Sequence, residues 1–251
     1  MTKLKFLCAA ALAAMSVGAS AQFTNGGGSA TTTTRTGSGL VKDCTPYDRI
    51  YVGYNPTTIK TDIDDADDFT LNGITFGYLH GFSLSKNQPL FLEVGARLNY
   101  SFKKEDEYEK ENPDYEGTDA PDYGDVTTSY INLAVPVNLA YQFTTSNRKV
   151  SITPFVGLTA KYNIKASMKY DLTKEGKYYY PQYAKDDEVD YFDKKKVGKD
   201  AQWSRFQVGW QIGAGLDFSS FYVGLHYGGD FGEVCKKQKL SNWGISLGYS
   251  F

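Results

Sequence analysis

Strict alternation of residue size is the feature that most limits what this chain can fold into. From Ser241 to Phe251 every second residue is large and apolar: Trp243, Ile245, Leu247, Tyr249 and Phe251. Between them stand Asn242, Gly244, Ser246, Gly248 and Ser250. A period of two puts the two sets on opposite faces of a strand. This strand is read as terminal, because the chain stops on its last aromatic. A soluble sandwich would turn the large face inward, whereas a transmembrane barrel would turn it to lipid and enclose the small one.

The same alternation recurs upstream. Strand one is expected over about Arg49–Asn55, with Ile50, Val52 and Tyr54 on one face and Pro56 ending it. Strand two covers about Leu71–Leu79, where Ile74, Phe76 and Tyr78 alternate with Gly73, Thr75 and Gly77. Strand three, Leu90–Phe102, sets Leu92, Val94, Leu98 and Tyr100 against Glu93, Gly95, Arg97 and Asn99. Strand four runs from about Ser129 to Phe143, strand five from Val150 to Ile164, strand six from Arg205 to Phe218 and strand seven from Phe221 to about Gly228. With the terminal strand this makes eight, an even number, joined by connections that alternate long and short. The pattern is that of an all-β, eight-stranded, antiparallel, up-and-down transmembrane β-barrel with short periplasmic turns and long outer loops. Pro136 and Pro154 fall inside strands four and five, where a closed sheet has no free edge, so a bulge is expected at each.

Which face meets lipid follows from what each face carries. Opposite the apolar set lie Glu93, Arg97, Asn132, Asn138, Lys161, Gln211, Asp217 and His226, with many glycines between. Small residues suit a crowded eight-stranded lumen, and these eight are the candidate lumenal polar network. The reading is a polar plug or narrow gate in functional terms, and structural filling in bland ones; the filling is favoured because eight strands enclose just enough space for side chains. Glu93 and Arg97 share a face but stand about 13 Å apart along the strand, so each is expected to bond other neighbours. Tyr54, Tyr78, Tyr100, Tyr141, Tyr162, Trp210, Trp243 and Tyr249 are candidates for the interfacial girdles.

The N-terminus bounds the compartment. Residues 1–21 have Lys3 and Lys5, an apolar run from Phe6 to Val17 and the small-residue pattern Ala19-Ser20-Ala21, which together read as a signal peptide. Its loss takes two lysines from a formal net charge of −2, leaving about −4. No basic stripe remains, which argues against nucleic acid as a partner. Residues 22–47, with Gly26-Gly27-Gly28 and Thr31–Thr34, are expected as a flexible periplasmic leader, and 48–251 as the barrel domain. Cys44 and Cys235 survive export, and the topology puts them at opposite ends of the barrel, so the even count favours a bridge and the distance opposes it.

Candidates for chemistry are few. Only His80 and His226 are available as bases, no Ser–His pair is positioned by the pattern, and the chain is read as a non-enzyme without cofactor or metal. The carboxylates from Asp62 to Asp68 suggest calcium but lack the glycine and terminal glutamate of a calcium loop, so a solvated loop is preferred. Lys103–Asp125 holds ten acids against three lysines, and Lys165–Ser204 carries Tyr170, Tyr178, Tyr179, Tyr180, Tyr183 and Tyr191.

Leu133-Ala134-Val135-Pro136-Val137-Asn138-Leu139-Ala140-Tyr141 resembles the proline-containing strand of PorT-like porins, an outer-membrane β-barrel family. Thr153-Pro154-Phe155-Val156-Gly157 is similar to that family's next strand, and Gly209-Trp210-Gln211-Ile212-Gly213-Ala214-Gly215 to its glycine-rich one. Ala134 and Ala140 depart from its usual polar positions. The resemblance covers about residues 48–251 and implies a fold and a compartment. It also implies that Trp243, Ile245, Leu247, Tyr249 and Phe251 serve as the signal read by the barrel-assembly machinery. The expected partners are outer-membrane lipid and lipopolysaccharide, that machinery, and an extracellular protein or glycan at the loops. The expected protein is a monomer with a structural or surface-interaction role. A narrow channel, an accessory part in secretion and a lipid-active enzyme are the alternatives.

Overall fold

The computed structural model describes residues 40–62, 67–106, 124–179 and 188–251. The signal-peptide segment, most of the leader, Asp64 and Asp65 of the acidic cluster, and most of the acidic loop lie outside the described residues. In chain order the elements are β1 (Leu40–Val41), β2 (Tyr47–Tyr54), β3 (Thr57–Thr61), β4 (Phe69–Ser83), β5 (Leu90–Asp106), β6 (Gly124–Tyr141) and β7 (Phe143–Thr145). There follow β8 (Val150–Leu172), the helix α1 (Lys174–Tyr179), β9 (Glu188–Asp190), the helix α2 (Lys194–Ala201), β10 (Phe206–Phe218), β11 (Phe221–Asp230) and β12 (Gln238–Ser250).

Eight antiparallel staves close into a ring. β2 and β3 act as one stave, since both pair with β12 on one side and β4 on the other. Pro56 therefore interrupts the first strand and does not end it. The ring continues β4–β5–β6–β8–β10–β11–β12 and returns to β2. The terminal residue takes part in closure: Asp48 and Phe251 exchange backbone hydrogen bonds of 2.9 Å in both directions. Leu40 and Val41, at the end of the expected leader, pair with Thr145 and Thr144 of β7 at the short-turn end. Cys44 and Cys235 are free thiols.

Neither proline makes a bulge. Pro154 falls where the ladder on its β6–β7 side is broken: pairing stops at Ala140↔Phe155 and resumes at Phe143↔Ile152 in the same register. Pro136 falls in a matching gap, between Val94↔Val137 and Arg97↔Ala134 on β5. The sheet thus omits hydrogen bonds where proline has no N–H to give and keeps its register, which is the cheaper solution. The one register shift between β6 and β8 lies at Ile131/Asn132, where Ile164 becomes the extra residue.

That bulge sets what the upper wall presents. Below it Tyr162 and Ile164 point outward and are exposed. Above it the parity flips, so Lys165 pairs with outward Ile131, while Ala166 and Met168 pair with inward Tyr130 and Thr128. The outward surface changes character at the same height on neighbouring strands, from Phe102 to Lys104 on β5 and from Ile131 to Ser129 on β6. Below this line the exterior is an apolar band that includes Val52, Phe76, Leu98, Leu133, Leu158, Leu225 and Leu247, all exposed. Aromatics edge it, with Tyr54 against Trp243 at 5.6 Å and Trp210 against Tyr227 at 5.7 Å toward the long-loop end. β8 has 23 residues and β6 has 18, against about 10 needed to cross a bilayer. The surplus carries the wall beyond the hydrocarbon on the long-loop side.

Candidate functional site in the lumen and outer mouth

Alternation sends every second side chain of each stave into an interior with little room for water, so most polar groups there must satisfy one another. Arg49, at the start of β2, is the hub. Its Nε and Nη2 donate to the two carboxylate oxygens of Asp217 at 3.2 and 2.6 Å. Its Nη1 donates to Glu93 at 2.9 Å and its Nη2 also to Thr153 at 3.2 Å. The guanidinium lies between the rings of Tyr47 and Tyr222, 4.1 and 4.8 Å from their centroids. Arg49 is 1% exposed and Glu93 0%. Glu93 further accepts from Tyr47 Oη at 2.7 Å and from Asn138 Nδ2 at 2.9 Å.

From Asn138 the chain of bonds runs outward. Gln211 Nε2 donates to Asn138 at 2.7 Å, and Arg97 reaches Gln211 at 3.5 Å. Arg97 Nη1 and Asn242 Nδ2 both meet His226 Nε2, at 3.0 and 3.2 Å. Two donors on one ring nitrogen assign the ring proton to Nδ1. Asn242 continues to Asn55 at 2.9 Å, Asn55 to Asn99 at 2.8 Å, and Asn99 to Asn132 at 2.8 Å. The structure therefore links seven of the eight sequence-derived candidates (Glu93, Arg97, Asn132, Asn138, Gln211, Asp217 and His226) into one web. Lys161 is the eighth and stands apart, paired with Asp230 at 2.6 Å.

Sequence reasoning missed Arg49, Asp230 and the rings. Arg49 shares a face with Tyr51, opposite Ile50, so parity pointed to it, but it was read as a strand end. Asp230 was assigned to a loop, yet β11 extends to it. Tyr47 and Tyr51 lie across from Gly81 and Gly77. A Cβ on Gly77 would come 2.3 Å from the Tyr51 ring, and one on Gly81 2.5 Å from that of Tyr47. Here glycine is required so that a ring can lie flat over the neighbouring strand.

Toward the outer mouth the lumen departs from the polar expectation. Ile59, Leu71, Tyr130, Ala166, Trp203, Val234 and Leu240 form an apolar layer, with Phe69, Tyr191 and Phe192 packed on it. Trp203 comes from the segment after α2 and stacks on Tyr191 at 5.3 Å. Polar atoms of the layer are matched below: Tyr130 Oη donates to Asn163, whose Nδ2 donates to the carbonyl of Ser204, both at 2.7 Å. Above the layer opens a cup of about 700 Å³ between the surplus wall, α2 and the β11–β12 connection. Beneath it, the spaces around Arg97 measure about 30 and 10 Å³, room for a water or two.

Both histidines are engaged. His80 Nδ1 lies 2.7 Å from Asp48, which also accepts from Tyr78 Oη. Of the acidic cluster, Asp68 accepts from the backbone of Thr61 at 3.0 Å. Among the described residues no three His, Cys, Asp or Glu side chains converge as metal ligands would. Outside the membrane band, a hydrogen bond from Lys236 at 2.8 Å holds the Asp200 carboxyl below the usual carboxylate range.

No curated protein matches the chain. Among solved structures it is similar to Ail, the attachment invasion locus protein of Yersinia pestis, in complex with the heparin analogue sucrose octasulfate. Identity there is 16% and the TM-score 0.39, over 82% of this chain and 99% of that one. Neisserial surface protein A is similar at 10% identity and TM-score 0.43, over 82% and 95%. The outer membrane enzyme PagL is similar at 13% and 0.40, over 82% and 99%. At such identities the likeness concerns the fold alone. The decisive match is a family model described as an outer membrane protein beta-barrel domain, which covers residues 46–229. The chain belongs to the outer membrane protein beta-barrel family and resides in the outer membrane.

Proposed function

We propose that this protein is a sealed barrel, not a channel, and that it acts at its outer end on an extracellular protein or glycan. The observation that carries the reading is the filled lumen. An ion web joins β2, β5, β6, β10 and β11, the apolar layer lies over it, and the spaces left around Arg97 measure only about 30 and 10 Å³. A hydrated ion needs a continuous file of water, and a web of paired charges and rings has none to offer. The surface role is supported by placement: α1, β9 and α2 stand on the long-loop side, and Tyr178 of α1 is 80% exposed. Tyrosine offers large contact area at low entropic cost. A non-enzymatic reading is supported by the histidines, which bond Asp48, Arg97 and Asn242.

The test is removal of residues 174–201 behind a short linker, scored together for adhesion to host or matrix surfaces, outer-membrane permeability and protein secretion. Loss of adhesion with permeability and secretion unchanged is the expected result. A secretion defect with normal adhesion would favour the alternative of an accessory part in secretion.

A further inference from the structure

We infer that the outer cup is a binding site for a small, neutral, predominantly apolar molecule taken from the extracellular side. This goes beyond the surface role and stands on the cup alone. Its wall and floor are the side chains of Ile59, Phe69, Met168, Tyr191 and Trp203, with Ala201 at the edge. About 700 Å³ lies within the range of small-ligand pockets, which are concave, mostly apolar and lined by aromatics. Two features select the class of ligand. The charges at the rim balance: Lys236 pairs with Asp200 at 2.8 Å and Glu105 with the adjoining Lys103 at 2.7 Å, while Asp67 and Lys237 are opposite in sign, so the cup offers no net charge to hold an ion. The cup is also closed below by the apolar layer and the asparagine web, so it admits a compact molecule and not a passing chain. The bulge at Ile164 is what turns Met168 inward, and the same bulge sends Lys165 to an outward ion pair with Glu188 at 2.8 Å. The apolar lining is thus built into the register of the wall, above the height at which lipid could supply an apolar face.

The test uses the full chain in lipid nanodiscs, with empty nanodiscs as blank, and the neutral fluorophore N-phenylnaphthylamine as probe. Trp210→Phe and Trp243→Phe leave Trp203 as the reporter. The expected result is saturable, one-to-one quenching of Trp203 above the blank. Ala201 is exposed, so Ala201→Phe fills the cup without loading the core and should weaken binding by about tenfold or more. A second readout needs no cup variant. Cys235 lines the cup, so bound probe should slow its alkylation by N-ethylmaleimide, while Cys44 at the opposite end reacts as before. Absence of saturable quenching, or unchanged affinity in Ala201→Phe together with unprotected Cys235, overturns the inference. If that happens while removal of 174–201 still abolishes adhesion, the surface role survives and the small-molecule site does not.

Discussion

Arg49 shows how a single residue can hold a lumen together. It gives four hydrogen bonds, two to Asp217 and one each to Glu93 and Thr153, from between two tyrosine rings. Removing it strands two carboxylates in a space with almost no water. Breaking a buried pair by deleting one partner costs about 3–5 kcal/mol, so Arg49→Met should lower the unfolding free energy of the lipid-inserted barrel by that order, read from urea titration of tryptophan fluorescence. Arg49→Lys should recover only part of the loss, because an ammonium cannot reproduce the forked contact to Asp217. Wild-type stability in Arg49→Met would mean that the lumen is wetter than its geometry implies. Alternation told which face Arg49 occupies. It could not tell that Glu93 of β5 and Asp217 of β10 would both arrive beside it, since those distances are set by closure of the ring.

At the scale of the strand, the membrane band and the bulge make separable predictions. Leu158 stands on the exposed apolar face of β8, where Leu158→Lys should cost about 2–4 kcal/mol in a bilayer. Thr127 faces outward on β6 above the band, between Lys104 and Lys169 on the flanking strands, so Thr127→Glu should stay within about 0.5 kcal/mol of the parent. Equal effects at the two sites would place the band elsewhere. Deleting Ile164 removes the extra residue and restores plain alternation, with Asn163 opposite Asn132, Lys165 still outward opposite Ile131 and Met168 still inward opposite Thr128. The expected outcome is a barrel that still shifts mobility on heating in detergent gels and keeps its outer wall, seen as an unchanged protease digestion pattern between residues 165 and 205. New cleavage there would show that the wall depends on the bend that the bulge gives the strand. The sequence reading ended this strand at Ile164 because the period broke there. A bulge and a strand end look alike in a pattern of residues, and only the partner strand distinguishes them.

For the whole molecule, closure and filling are the governing properties. The last residue is bonded to Asp48 on the first stave, and we propose that the terminal set Trp243, Ile245, Leu247, Tyr249 and Phe251 is also what the assembly machinery reads. Deleting Phe251 should slow insertion into vesicles and lower the folded fraction in outer membranes, measured by heat-modifiable mobility; normal yields would remove the residue from that role. Planar bilayers containing the purified protein should show no discrete conductance steps at neutral pH, and steps that recur from one preparation to the next would restore the narrow-channel reading.

By itself the chain determined its fold class, its compartment and the outward face of each stave, because period-two patterning is local and survives without knowledge of partners. It also marked most of the lumenal web by residue type. The tertiary structure alone decided the rest: that Pro56, Pro136 and Pro154 are absorbed by gaps in the ladder, that Arg49 and Asp230 complete the ion pairs, and that an apolar floor and cup replace the polar lumen at the outer end. Each of these depends on which residues from distant strands reach the same height, and height is fixed by stagger and closure, which leave no trace in the period of any one strand.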